Sequence, residues 1–91
     1  MIVAGAAVRL TLYGRNYCHL CEDMRNALAD LVAELEFSLE VIDVDRSEAL
    51  EARYGERVPV LAHGETELCH HFLDRRAVVA YLARIAEARA R

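Results

Sequence analysis

The sequence predicts an α/β fold, a four-stranded mixed sheet with helices on both faces, in the order βαβαββα. Three observations predict it. Short apolar runs of strand length alternate with longer segments whose apolar residues recur at helical spacing. The third and fourth runs are separated only by a turn signal, His63-Gly64-Glu65, which reads as a hairpin. The length, 91 residues of which 55% are hydrophobic, suits one small domain with a single core, so residues 1–91 are taken as one unit. Residues 1–7 are apolar but lack the length and the basic start of a signal peptide, and are expected to fray.

Each element has its own local reason. Val8, Leu10, Leu12 and Tyr13 mark a first strand over Arg9 to Tyr13, and Gly14-Arg15-Asn16-Tyr17 reads as a loop. From His19 to about Glu36, the residues Met24, Leu28, Leu31, Val32 and Leu35 fall on one helical face. Leu39 to Val44 is strand-like, with Ile42 and Val44 on one face and Val41 on the other. Asp45 followed by Glu48 resembles a capping box and predicts a short helix ending near Gly55. Val58 to Ala62 and Thr66 to about His70 form the hairpin strands. Asp74 is a good N-cap for a last helix carrying Val78, Tyr81, Leu82 and Ile85. The first βαβ unit should cross over right-handedly and place its two strands parallel.

Composition narrows the function. Fifteen acidic and eleven basic residues leave a formal charge of −4, which argues against a nucleic-acid partner held through phosphates. Every basic residue is arginine, so lysine chemistry is excluded. No run has the length to span a membrane. Three cysteines are too few and of the wrong parity for a secreted disulfide scaffold, and a cytoplasmic location is expected.

The chemistry concentrates in Cys18-His19-Leu20-Cys21. On a helix, residues at i and i+3 share a face, so the two sulfurs can meet as a disulfide. Cys18 would lie at the helix N-terminus, where unpaired backbone N–H groups favour a thiolate. Arg15 and His19 act in the same direction, and Glu22 and Asp23 oppose it. A thiol pKa below the free-cysteine value of about 8.5 is expected.

The Cys-x-x-Cys between first strand and first helix, the Val58-Pro59 pair opening the third strand, and the element order together resemble the thioredoxin fold. Within it, Leu12 to Cys21 and the later Glu67-Leu68-Cys69 resemble a family of small bacterial glutaredoxin-like proteins. The resemblance spans Val8 to about Ile85. It implies a thiol–disulfide oxidoreductase in which Cys18 attacks a substrate disulfide and Cys21 resolves the mixed disulfide. It implies a cis bond before Pro59, with the backbone of Val58 pairing with bound substrate like an added strand. Arg15 stands where many glutaredoxins carry lysine, to support the thiolate and attract a glutathione carboxylate. Tyr17 is expected to shape the loop on the substrate side. The substrate would be a disulfide-bearing protein or a glutathione-type disulfide. No bound cofactor and no metal are implied, the donor being glutathione or a flavoprotein reductase, and the domain a monomer.

The chain also departs from common glutaredoxins. His19-Leu20 replaces Pro-Tyr between the cysteines, and Arg57 replaces the usual Thr before Val-Pro. Leu68-Cys69-His70-His71 fills the region where a Gly-Gly pair admits glutathione, and should crowd its approach. Other readings of the same residues remain. His19 serves as a proton shuttle or points into solvent; Cys69 is a third redox thiol or a small buried hydrophobe. Asp43 and Asp45 are read as strand end and helix cap. The dithiol could be structural, could bind zinc with Cys69, His70 and His71, or could switch partner binding without turnover.

Overall fold

The computed structural model describes residues 8–90, so the expectation for residues 1–7 lies outside the described residues. The strands are β1 (Arg9–Gly14), β2 (Ser38–Asp43), β3 (Val60–His63) and β4 (Thr66–His70); the helices are α1 (His19–Leu35), α2 (Glu48–Tyr54) and α3 (Arg75–Ala90). The sheet runs β2-β1-β3-β4. β1 and β2 are parallel, and the remaining pairs are antiparallel. The predicted order and mixed four-stranded sheet are therefore present.

Two apolar clusters hold the layers together. Leu10 and Leu12 of β1 and Leu61 of β3 meet Met24, Leu28 and Leu31 of α1, and Val78 and Leu82 of α3. Tyr13 and Val60, one residue out of phase, face the other side and pack with Val44 and Tyr54. The alternation of side chains along a strand produces this division. Tyr13 and Tyr54 stack with ring centroids 4.1 Å apart, anchoring α2 to the sheet.

Several boundaries differ from the sequence expectations. α1 stops at Leu35; Glu36 adopts a left-handed backbone, its N–H bonding Val32 O at 2.9 Å, and turns the chain so that Phe37 enters the core. β2 ends at Asp43, and Val44 opens a 3₁₀ turn reaching Arg46. The cap of α2 is Ser47, not Asp45. Ser47 Oγ accepts from Leu50 N–H at 3.3 Å, while Asp45 sits inside the 3₁₀ turn, its N–H bonded to Asp43 Oδ1 at 2.8 Å. β3 starts at Val60 rather than Val58, because Pro59 has no N–H for the ladder; the Val58–Pro59 peptide is cis. A bulge at Leu68 shifts the β3–β4 register, so Leu61 faces Cys69 and Ala62 faces Glu67. The turn holds Gly64 at a φ of 60°, which glycine adopts freely. Asp74 caps α3 as expected, Oδ1 accepting from Ala77 N–H at 3.0 Å.

Candidate active site

The dithiol sits where β1 hands the chain to α1. Tyr17, with a left-handed φ of 58° and a fully exposed side chain, turns the loop toward the helix. Cys18 then caps α1. Its backbone is extended, and its Sγ accepts the Cys21 N–H at 3.1 Å, in the way a serine or threonine oxygen would. Cys18 and Cys21 form a disulfide with Cα atoms 5.2 Å apart, the separation that helical i and i+3 spacing provides. Cys18 is half-buried, whereas Cys21 is only 8% exposed. One sulfur therefore faces outward and the other inward.

Gly14 explains how Cys21 fits. A Cβ at position 14 would stand 3.3 Å from Cys21 Sγ and 3.4 Å from its Cβ, tighter than ordinary contact. The bare backbone thus seats the inner sulfur against the end of β1. Tyr13 pairs with Val60, and continuing that antiparallel register sets Pro59 opposite Gly14. On the other edge Gly14 pairs with Asp43. The dithiol, the proline and the end of β2 thereby come to one end of the sheet.

Arg15 is engaged elsewhere than expected. Its guanidinium pairs with Glu51 of α2 and lies 3.5 Å from Asp45 Oδ1, so its charge is shared with carboxylates; its Nε is buried with no partner among the described residues. It ties the loop before the dithiol to α2 and the 3₁₀ turn. His19 is exposed at the first helical position, as are Glu22 and Asp23. Val58 is half-buried and packs on the second cluster.

Beside the two cysteines opens a cleft of about 520 Å³ between α1 and the end of β2. Val41, Arg25 and Arg46 are among the residues lining it.

A family model described as Glutaredoxin-like domain (DUF836) matches residues 9–83. The chain belongs to this glutaredoxin-like family. A Nitrosomonas europaea protein solved by solution NMR is 46% identical, with a TM-score of 0.74, over 81% of this chain and 89% of that one. An X. campestris protein solved by X-ray crystallography is 38% identical, with a TM-score of 0.66, over 82% of this chain and 96% of that one. Thioredoxin 1 of Thermosipho africanus, 18% identical, aligns at a TM-score of 0.65 over 91% of this chain and 99% of that one, a likeness of fold alone. No curated protein matches the chain.

In this glutaredoxin-like domain the far end of β4 is crowded. Glu67 accepts from Arg57 and from His70, the latter at 2.8 Å, and the His71 N–H bonds Pro59 O at 2.8 Å. Burial raises the Glu67 pKa, but hydrogen bonds from His70 and Arg57 outweigh it and leave the carboxyl below its ordinary value. Cys69 is half-buried against the main core, which agrees with a packing role. Burial pushes its thiol above the ordinary value; the charges of Asp74 and Glu67 add to this, against a backbone hydrogen bond at Asp74. In the reduced, folded protein at neutral pH, iodoacetamide should therefore modify Cys69 more slowly than an unfolded cysteine. The rate should climb at more alkaline pH than for a free thiol, and denaturant should erase the difference. Equal rates in folded and denatured protein would contradict this. Among the described residues, no three His, Cys, Asp or Glu side chains come together as a metal site needs. No described helix is long and apolar enough to cross a membrane.

Sequence reasoning missed Gly14, Arg25 and Arg46. Arg25 did carry a signal, since it lies four residues after Cys21 and shares its helical face. Arg46 carried none, because only the return of β2 beside β1 brings it near the dithiol.

Proposed function

We propose that this domain is a thiol–disulfide oxidoreductase acting through Cys18 and Cys21. The observation that carries the reading is the asymmetry of the pair: an outward Cys18 sulfur at the helix cap and an inward Cys21 held against Gly14. In the reduced domain the Cys18 thiolate attacks one sulfur of a substrate disulfide and expels the other half as a thiolate. Cys21 loses its proton and attacks Cys18 Sγ, releasing the second substrate thiol and closing the Cys18–Cys21 disulfide. Two electrons have then passed to the substrate. A donor, glutathione or a flavoprotein reductase, returns them.

The local backbone supports this order. The Cys21 N–H aimed at Cys18 Sγ, together with the helix N-terminus, stabilises negative charge on the attacking sulfur. The backbone of Val58 before Pro59 offers the docking edge for an extended substrate. Tyr17 closes the loop before Cys18, and Arg15 braces that loop through α2. We place the protein in the cytoplasm as a monomer.

Insulin reduction tests the reading. With dithiothreitol as donor, wild-type protein should accelerate precipitation of the insulin B chain, and Cys18→Ser should fall to the uncatalysed rate. A wild-type rate equal to background would sink the proposal.

A further inference from the structure

The cleft beside the dithiol has a chemistry of its own. It is walled by α1 on one side and by β2 with its 3₁₀ turn on the other. Its volume, about 520 Å³, falls in the range of about 300–1,000 Å³ that small-molecule sites occupy. Both cysteines line it, so a molecule held there lies beside the reactive sulfur. Val41, 45% exposed, adds an apolar surface to the lining of the cleft.

The charges are the telling feature. The chain as a whole carries −4, and most arginines near acidic groups are paired. Arg25 and Arg46 are exposed, and among the described residues neither has a carboxylate within ion-pair distance. Arg15 also lines the cleft but is held by Glu51 and Asp45. Glu22 and Asp43 are the acidic lining groups, and Asp43 already accepts the Asp45 N–H. Two guanidinium groups with no carboxylate partner among the described residues thus line the cleft that holds the dithiol, one from α1 and one from the 3₁₀ turn. Guanidinium forks match carboxylates in shape and charge.

We infer that this cleft is a docking site for small disulfides bearing carboxylates, with Arg25 and Arg46 receiving the carboxylates and the S–S bond lying at Cys18. The inference rests on the redox reading above and names its substrate class. The reaction balances without further reagents: reduced protein and one disulfide yield the Cys18–Cys21 disulfide and two small thiols. The site lies on the β2 side of the dithiol, away from the Val58–Pro59 edge.

A charge series tests it. Three disulfides share one skeleton: 3,3′-dithiodipropionate is dianionic at neutral pH, 2-hydroxyethyl disulfide neutral, and cystamine dicationic. Rate constants for oxidation of pre-reduced protein are measured for each by stopped flow. The comparison is between wild type and the double variant Arg25→Gln/Arg46→Gln, so intrinsic reactivities cancel. The dianion-to-neutral rate ratio should fall about five- to tenfold in the variant, the scale expected of two exposed ion pairs. The cation-to-neutral ratio should rise. In wild type, added salt should lower the dianion ratio, since exposed charges are screened. A misfolded variant would slow all three reagents alike and leave the salt response of the wild type to judge the site. Unchanged ratios, with no salt response in wild type, overturn the cleft assignment while leaving the redox reading intact. If none of the three oxidises the reduced protein, the redox reading falls and this assignment with it.

Discussion

Cys21→Ser should accumulate a covalent adduct between Cys18 and substrate. In the wild type, the resolving thiol stands one helical turn away, with Cα atoms 5.2 Å apart, and attacks as an intramolecular group. Well-placed intramolecular groups act at effective concentrations of about 10⁵–10⁸ M, so an external thiol at millimolar level is a poor replacement. The mixed disulfide should therefore outlive its wild-type counterpart by at least about a thousandfold. Cys69 cannot stand in for Cys21, since it is half-buried on β4 and packs against the core. Mass spectrometry under non-reducing conditions should find one substrate moiety per chain on Cys18, removed by dithiothreitol. The converse result, an adduct in Cys18→Ser and none in Cys21→Ser, would reverse the assigned roles. It would also contradict the exposure of the pair, in which Cys21 is the inner sulfur.

Leu28→Ala should be the most damaging single truncation of α1. Leu28 has no exposed surface and lies in the main cluster with Leu10, Leu12, Leu61 and Val78. Removing a buried leucine side chain costs about 2–5 kcal/mol through lost burial and the cavity left behind. Small domains hold only about 5–15 kcal/mol in total, and one this short belongs near the lower end. A melting temperature lower by roughly 10–30 °C is expected, since each kcal/mol moves a domain of this size by about 4–8 °C. Urea titration followed by circular dichroism measures the change directly. A loss below about 1 kcal/mol would mean that Leu28 sits in a looser environment than its burial implies. The same helix carries the dithiol on its first turn, so the core beneath it also holds Cys18 and Cys21 in place.

What was legible in the sequence was local. The spacing of Met24, Leu28 and Leu31 set out α1, and Asp74 announced α3 through its own carboxylate. Cys18 and Cys21 met because i and i+3 share a helical face. Gly64 marked the hairpin through its own backbone freedom. Each of these needs only a few consecutive residues and the preferences of the chain.

The choice between neighbouring caps, and contacts across long separations, were not legible. Asp45 looked like the cap of α2, but Asp43 and Arg15 engage it, and Ser47 takes that place. Arg15 looked like a partner for the thiolate, yet its guanidinium meets Glu51, thirty-six positions along the chain. The bulge at Leu68 depends on how β4 lies along β3. So the sequence by itself determined the element order, the helix that carries the dithiol and the pairing of its sulfurs. The tertiary structure alone decided what seats Cys21, where Arg15 is held, and which arginines border the cleft. The reason is physical: backbone preference and periodicity act within a few residues, whereas sheet register and core packing join β1, β2 and α1 at one end of the sheet.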